Sequence, residues 1–219
     1  MQKPLWIIAL VAVVNALGYG IVIPVLYSYS RSFGLTDFEN GLLFSIFSVG
    51  QFIATPLIGR ISDAYGRKLP LFGSVLGTAV SFFMMAVAPN AVFLFIARAL
   101  DGITAGNIPV ALAVISDTTE PKDRAKWFGI IGPSFGFGFT FGPAISAFTL
   151  RYGTHMPFLI AGAIALVACV LIAFLLPETN VNRGTTVSRH LFDFRKLWHA
   201  LFDPGIGATL AVSFLVMFA

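Results

Sequence analysis

The chain has 219 residues, of which 57% are hydrophobic and only 11% are charged. Soluble domains carry about 25% charged residues, so this composition excludes an ordinary soluble domain and indicates an integral membrane protein. The net charge of +4 is small, and we interpret it as a signal of membrane topology and not of nucleic-acid binding. Cys169 is the only cysteine, so the sequence offers no disulfide within the chain and no cysteine metal site.

Six apolar runs are long enough to cross a membrane, because about 20 apolar residues span ~30 Å of hydrocarbon. A seventh run begins near residue 206 and reaches Ala219, and its 14 or so residues rise only ~21 Å in a helix. The sequence therefore predicts a six-helix bundle at 1–176, a cytoplasmic linker at 177–205 with a surface helix or a solvated loop, and a truncated seventh helix at 206–219. The six runs, numbered here as spans 1 to 6, cover roughly 5–26, 40–58, 69–88, 91–116, 127–149 and 157–176.

Lysine and arginine are distributed unequally between the loops on the two sides. One side carries only Arg31 and Arg151. Because positively charged loops stay in the cytoplasm, we expect a cytoplasmic N-terminus in a plasma membrane of the bacterial type (inner membrane). The loops on the cytoplasmic side carry Lys3, Arg60, Arg67, Lys68, Lys122, Arg124, Lys126, Arg183, Arg189, Arg195 and Lys196.

A pattern around the turn after span 2 recurs 87 residues later, after span 5. Three spans separate the copies, so they face opposite sides of the membrane, and this predicts a 3+3 inverted repeat of the kind found in secondary transporters. A weaker echo links Gly20 and Pro24 in span 1 with Gly106 and Pro109 in span 4. The matching residues of the main pattern are Pro56, Ile58, Tyr65, Gly66 and Pro70 in the first copy and Pro143, Ile145, Tyr152, Gly153 and Pro157 in the second.

Two charged residues lie within the predicted spans, Arg98 and Asp101 of span 4. Ionised groups in hydrocarbon are costly and usually face a cavity or a partner, and a spacing of three residues places both on one helix face. Two interpretations stand: a structural ion pair, or a proton-coupling or substrate-orienting site in a central cavity.

Polar residues of spans 1 and 2 lie at a similar depth. Asn15, Gln51 and Asp101 are each about ten residues into their spans, which places them ~15 Å deep, near the midplane where transporters bind substrate. Tyr19 follows Asn15 by one turn. For Gln51 and Tyr19, a role as a link between helices is as well supported as a substrate contact.

The turn between spans 2 and 3 combines glycines, basic residues and one carboxylate: Gly59, Asp63, Gly66, Arg67 and Lys68. The basic residues alone satisfy the topology rule. We also expect Asp63 to cap the N-terminus of a neighbouring helix and to pair with Arg67, which would form a cytoplasmic latch.

Span 5 is rich in glycine, notably at Gly138 and Gly142, and Pro143 follows directly. Glycine lets helices approach closely and proline bends a helix axis. These residues are predicted to serve packing and gating, not chemistry.

Four motifs in chain order resemble those of the major facilitator superfamily, and together they cover residues 5 to 180. The span 5 motif resembles that of the drug/proton antiporters. The span 1 stretch Asn15-Ala-Leu-Gly18-Tyr-Gly20-x-x-x-Pro24 is similar to that of the tetracycline-type antiporters. The four motifs are Gly59-x-x-x-Asp63-x-x-Gly66-Arg67-Lys68, Arg98-Ala-Leu-Asp101-Gly102-x-x-x-Gly106, Gly129-x8-Gly138-x3-Gly142-Pro143 and Leu176-Pro177-Glu178-Thr179.

The resemblance implies an all-α membrane fold, here one six-helix half with a 3+3 inverted repeat and the start of a seventh helix. It also implies alternating access, in which proton influx drives the export of a small, hydrophobic, drug-like compound. Arg98 would relay protons, Asp63 and Arg67 would form the cytoplasmic gate, and Gly142-Pro143 would be the hinge. Tetracycline-type members tend to carry a carboxylate at the position of Asn15, so Asp101 is left as the membrane carboxylate for protons.

Two alternatives remain open: a proton-coupled symporter of sugars or metabolites, and a membrane fragment or scaffold that does not transport. An enzyme is not expected, because the sequence has no nucleophile–base pair, metal-ligand spacing or phosphate loop. No cofactor is expected besides the proton gradient. The expected partners are a small-molecule substrate, protons, the lipid bilayer and a C-terminal half or second copy of the chain, since the superfamily has twelve helices and this chain resembles one half.

Overall fold

The computed structural model describes residues 3–180, 202, 203 and 207, and these residues form helices and no strands. The linker and the seventh helix predicted at 177–205 and 206–219 otherwise lie outside the described residues. The chain divides into two compact units, Met1–Val187 and Ser188–Ala219. The helices are α1 (Lys3–Arg31), α2 (Asp37–Tyr65), α3 (Lys68–Ala86), α4 (Ala91–Thr104), α5 (Ile108–Thr118), α6 (Pro121–Phe128), α7 (Ile131–Thr149), the short 3-10 helix Leu150–Tyr152, and α8 (Met156–Leu175).

Within residues 3–180, six helical stretches are long and apolar enough to cross a membrane, which confirms the six spans predicted for this part of the chain. Four spans are single helices, namely α1, α2, α3 and α8, whereas the other two are each built from more than one helix. Span 4 runs over Ala91–Thr118 and span 5 over Pro121–Tyr152.

The first two helices extend beyond the apolar runs that predicted them. The start of α2 is fixed by a capping box, in which the Thr36 hydroxyl accepts from the Glu39 N–H and the Glu39 carboxylate accepts from the Thr36 N–H at 2.8 Å. Its end is fixed by Gly66, whose φ of +104° takes the chain out of the helix. Hydropathy marks the part of a helix in hydrocarbon, whereas caps and backbone geometry set where the helix ends.

Span 4, predicted from the apolar run at 91–116, is broken between α4 and α5. Pro109 has no N–H to donate to the carbonyl of Ala105, four residues earlier. That carbonyl instead accepts a hydrogen bond of 3.2 Å from Nε2 of Gln51 in α2. Gly106 also lies against α2, where an added Cβ would come within 2.8 Å of the Thr55 nitrogen. The break is therefore held by a neighbouring helix.

Span 5, predicted from the apolar run at 127–149, is likewise built from more than one helix. The charged helix α6 comes first and ends at Phe128, and α7 begins at Ile131. Pro121 is the first residue of α6, and its backbone is already suited to a helix start. The apolar run thus predicted the membrane-crossing part but not the amphipathic turns before it.

The packing of the spans follows the predicted inverted repeat. The most extensive contacts join span 1 to span 5, span 2 to span 4 and span 3 to span 6. A two-fold axis that exchanges spans 1, 2, 3 with spans 4, 5, 6 converts the first of these pairs into the second and returns the third to itself. Internal repeats of this kind place transport sites at their interface.

The repeated turns have the same backbone geometry. Gly66 follows Tyr65 with a φ of +104°, and Gly153 follows Tyr152 with a φ of +136°. These are conformations that glycine adopts without steric cost. They explain why the same Tyr-Gly pair closes a helix on both sides of the bundle.

The weaker echo between spans 1 and 4 extends to packing. Gly20 of α1 lies against Gly142, and Gly106 lies against Thr55; Gly142 and Thr55 occupy equivalent positions of the main repeat. The backbone differs, however, because α1 continues through Pro24 whereas span 4 is broken.

Candidate functional site

The two charged residues of span 4 form a buried ion pair on α4. Nη1 of Arg98 lies 2.6 Å from Oδ2 of Asp101, and each residue is 3% exposed. The guanidinium carbon also lies 4.3 Å from the ring centre of Phe47 in α2, a cation–π distance. The carboxylate further interacts with Ser81 of α3. The predicted pairing is therefore present, while a part in proton coupling stays a prediction.

Tyr19 and Gln51 connect this pair to the break in span 4. Nε2 of Gln51 donates to the Tyr19 hydroxyl at 3.0 Å and to the Ala105 carbonyl at 3.2 Å. Tyr19 also interacts electrostatically with Asp101 and Arg98. Gln51 thus links spans 1, 2 and 4, as one of its two sequence interpretations expects; a substrate contact remains a prediction.

Asn15 finds a partner that sequence reasoning missed. Its Nδ2 donates to Oδ1 of Asn107 at 3.0 Å, and Asn107 is only 2% exposed. In the sequence, Asn107 lies within the weaker repeat echo, between Gly106 and Pro109. Its position just before Pro109, in a stretch that cannot be regular helix, was the available signal.

Four of the five predicted cavity residues share one cavity between spans 1, 3, 4 and 5. Its volume is about 30 Å³, enough for about one water molecule and far below the ~300 Å³ or more of a drug site. Gln51 does not line this cavity, but it donates to two residues that do, Tyr19 and Ala105. The lining residues include Asn15, Tyr19, Thr78, Phe82, Arg98, Asp101, Asn107 and Phe135.

The turn after span 2 is the centre of a second polar cluster. Arg67 forms ion pairs with Asp63, four residues earlier, and with Asp117 at the end of α5, where the Nε–Oδ2 distance is 2.9 Å. Its guanidinium also donates to the Ser62 hydroxyl at 3.1 Å. Burial alone would lower the pKa of Arg67, but the hydrogen bonds and charges of Asp117 and Asp63 outweigh it and raise the pKa.

Asp63 pairs with Arg67 as expected, whereas the capping of a neighbouring helix by Asp63 stays a prediction. The carboxylate that serves the start of α3 belongs to Glu178, which accepts from the backbone N–H of Arg67 at 2.8 Å and of Lys68 at 3.2 Å. Asp63 lies in the last turn of α2. Gly66 is required at this point, because a Cβ would overlap the Glu178 carboxylate.

Two residues of this cluster were missed by the sequence reasoning. Asp117 lies one residue beyond the apolar run of span 4, and Glu178 was noted only as part of the exit from span 6. Both are far from Arg67 in sequence, and only the packing of spans brings them together. At the remaining predicted residue, Gly59, an added Cβ would make an ordinary van der Waals contact with Pro109 at 3.9 Å.

The predicted hinge glycines of span 5 lie against span 1. A Cβ on Gly138 would overlap the backbone and side chain of Ala16, and a Cβ on Gly142 would come within 2.8 Å of the Ile21 nitrogen. Pro143 lies inside α7. Their packing role is thus visible, while hinge motion stays a prediction.

Sequence comparisons find relatives among drug-resistance proteins. The tetracycline resistance protein of class B from Escherichia coli is 34% identical over 189 residues, which is 85% of this chain and 47% of that protein. The quinolone resistance protein NorA from Staphylococcus aureus is 31% identical over 217 residues, 98% of this chain and 56% of that protein. The chain therefore spans about half the length of these curated relatives.

Solved structures share the fold. The human organic anion transporter TETRAN superposes with a TM-score of 0.75 at 24% identity over 89% of this chain and 51% of its own. A peptide transporter in complex with sulfate gives a TM-score of 0.74 at 19% identity over 98% of this chain and 45% of its own. The family model of the Major Facilitator Superfamily matches residues 8–219. The chain, with its six spans in an inverted repeat, belongs to the Major Facilitator Superfamily.

Proposed function

We propose that this chain supplies one six-helix half of a proton-coupled transporter that exports a small, hydrophobic, drug-like compound by alternating access. The observation that carries the proposal is the Arg98–Asp101 pair, which is buried at a cavity within the spans. Membrane-buried ionisable residues commonly mark proton and substrate pathways. The tetracycline and quinolone resistance relatives support a drug as the substrate class.

Asp101 is the group that we assign to the proton. When it is ionised, its bond to Arg98 holds α4 in the present arrangement. Proton uptake would neutralise the carboxylate and weaken that bond, since hydrogen bonds between charged groups are roughly twice as strong as neutral ones. Tyr19 and Ser81, beside the pair, would then be free to reorganise.

The substrate site requires a second half, because the cavity of about 30 Å³ is too small for a drug. In spans 2 and 5, only 17% of the apolar 18-residue stretch is buried inside the protein, against 67% in span 1. Their uncovered faces include Phe52 and Ile53 on α2 and Phe137 and Phe141 on α7. A C-terminal half or a second copy of the chain would cover these faces and complete the site.

We place the protein in a bacterial-type inner membrane with its N-terminus in the cytoplasm. The support is the excess of Lys and Arg in the loops on one side. In this orientation, the cluster around Arg67 lies at the cytoplasmic end of the bundle. The cluster would then act as a latch that closes this end in one conformation.

The test is flux of tetracycline or a fluorescent dye in proteoliposomes under an imposed pH gradient. The chain is reconstituted alone and together with a complementary six-helix half. We expect gradient-driven flux from the completed transporter, and we expect Asp101→Asn to abolish it. Asp123→Asn, which removes an exposed carboxylate on α6, is the matched control and should transport normally.

Absence of gradient-dependent flux in both preparations would refute transport and favour the scaffold interpretation. Flux of drug and protons in the same direction would favour a symporter. Normal proton-coupled flux in Asp101→Asn would show that another group carries the proton.

A further inference from the structure

Asn107 does not cap α5, although it lies directly before that helix. It is the residue before the first turn of α5, a place where asparagine is among the most favourable caps. Its side chain makes no capping hydrogen bond. The amide oxygen instead accepts from Asn15 of α1 at 3.0 Å, with Asn107 only 2% exposed.

The Asn15–Asn107 hydrogen bond lies between two cavities. The first, of about 30 Å³, extends towards Tyr19, Arg98 and Asp101. The second, of about 20 Å³, extends the opposite way along α1, towards the end of the bundle that carries the Gly66 turn. Four residues line both cavities and therefore form the boundary between them: Asn15, Asn107, Ile108 and Phe135.

The local backbone offers Asn107 a second partner. The break at Ala105–Asn107 leaves the residue outside both helices. The first turn of any helix has N–H groups without an intrahelical partner, and Pro109 contributes none. Val110, at the third position of α5, therefore presents the N–H that an asparagine cap ordinarily takes. The Asn107 backbone is helical here, with a φ of −91° and a ψ of −10°, whereas a capping residue has an extended backbone. A change of this backbone conformation together with a rotation of the side chain would exchange Asn15 for Val110.

We propose that Asn15, Asn107 and Phe135 form an inner gate between the two cavities. The gate is closed when Asn107 bonds to Asn15, and it opens when Asn107 caps α5. Each state keeps one hydrogen bond of the Asn107 oxygen, so neither leaves that oxygen without a donor. The proposal rests on the transport function proposed above, because the two cavities would be successive parts of one path.

The test follows the access of Ag⁺, an ion of about the size of water, to a thiol in the second cavity. Ala12 lines that cavity and not the first, and the buried Cys169 is removed by Cys169→Ala. The full chain carrying Ala12→Cys is placed in sealed vesicles, and Ag⁺ is added to one side or the other. Protection from a fluorescent maleimide, added after solubilisation, reports the reaction. We expect the thiol to react from one side only.

Asn15→Ala removes the bond that closes the gate and leaves the cap available. We expect the reaction from the previously inaccessible side to accelerate about fivefold, the factor that corresponds to one hydrogen bond of about 1 kcal/mol. Asn107→Ala removes both bonds, so its effect should be smaller than that of Asn15→Ala. The matched control is Asn90→Ala, which removes the amide that caps α4 through the Phe93 N–H at 2.9 Å, away from the gate.

The inner gate is refuted if Asn15→Ala leaves access unchanged or if Asn90→Ala raises it equally. An effect of Asn107→Ala at least as large as that of Asn15→Ala would overturn the exchange of partners. Asn15→Ala and Asn107→Ala alter different spans, so if one variant misfolds, the other still tests the gate. Thiol access does not depend on transport, so loss of pH-driven flux with intact gating would count against the transport function and not against the gate.

Discussion

Substitution of Gly138 tests whether close contact between spans 1 and 5 stabilises the bundle. A Cβ at Gly138 would overlap the carbonyl group and the Cβ of Ala16 in α1. Backbone atoms cannot rotate aside as a long side chain can, so α1 and α7 would have to separate. Gly138→Ala should therefore weaken the most extensive helix contact of the fold.

Gly136 is the matched control, because it lies in the same helix with no atom within 4 Å of an added Cβ. Both substitutions gain the same helix propensity, roughly 0.5–1 kcal/mol, and this gain cancels in the comparison. Overpacking of a tight site costs about 1–3 kcal/mol. We expect Gly138→Ala to be less stable than Gly136→Ala by that amount.

The assay is reversible denaturant unfolding in detergent micelles, followed by tryptophan fluorescence. The chain has 3 Trp, and two of them, Trp6 and Trp127, form an edge contact between α1 and α6. Equal free energies of unfolding for the two variants would refute the account of span 5 as a close-packed helix.

Three further variants probe the cluster around Arg67. Gly66→Ala places a Cβ against Glu178 at a φ of +104°, so it should lower the free energy of unfolding by about 1–2 kcal/mol or more. Its control, Gly73→Ala, adds a Cβ in open space and should not lower the melting temperature. Equal melting temperatures of the two variants would contradict this account. Glu178→Ala, which leaves the start of α3 without its acceptor, should lower the free energy of unfolding by about 1–3 kcal/mol, and an unchanged value would argue against the cap. Arg67→Lys should lose the contacts that the planar guanidinium group makes with Asp63 and Asp117 together. A double-mutant cycle of Arg67→Lys with Asp117→Asn that gives no coupling energy would exclude a stabilising Arg67–Asp117 ion pair.

Local features of the fold were accessible from the sequence because they depend on neighbouring residues. The apolar runs located the six spans, and the Tyr65-Gly66 and Tyr152-Gly153 pairs revealed the inverted repeat before any packing was known. The spacing of Arg98 and Asp101 by three residues predicted an ion pair on one helix face. Each of these inferences uses only helix geometry and hydropathy.

Features that depend on contacts between distant helices were not accessible. Pro109 in span 4 was visible, but nothing in the sequence showed that Gln51 would satisfy the carbonyl of Ala105 and stabilise a break there. The partners of Arg67 and Asn15 are likewise remote: Asp117 and Asn107 are brought in by the packing of span 4. Glu178 accepts from the start of α3 because the exit from span 6 passes that point.

Proton movement measured together with drug movement tests the central claim most directly. Proteoliposomes containing the completed transporter and an internal pH indicator are given an outward or inward drug gradient without an imposed pH gradient. We predict that drug moving in one direction drives protons in the other, and that Asp101→Asn shows no such proton movement while Asp123→Asn does. Drug flux without proton movement, or an unchanged proton response in Asp101→Asn, would contradict the account.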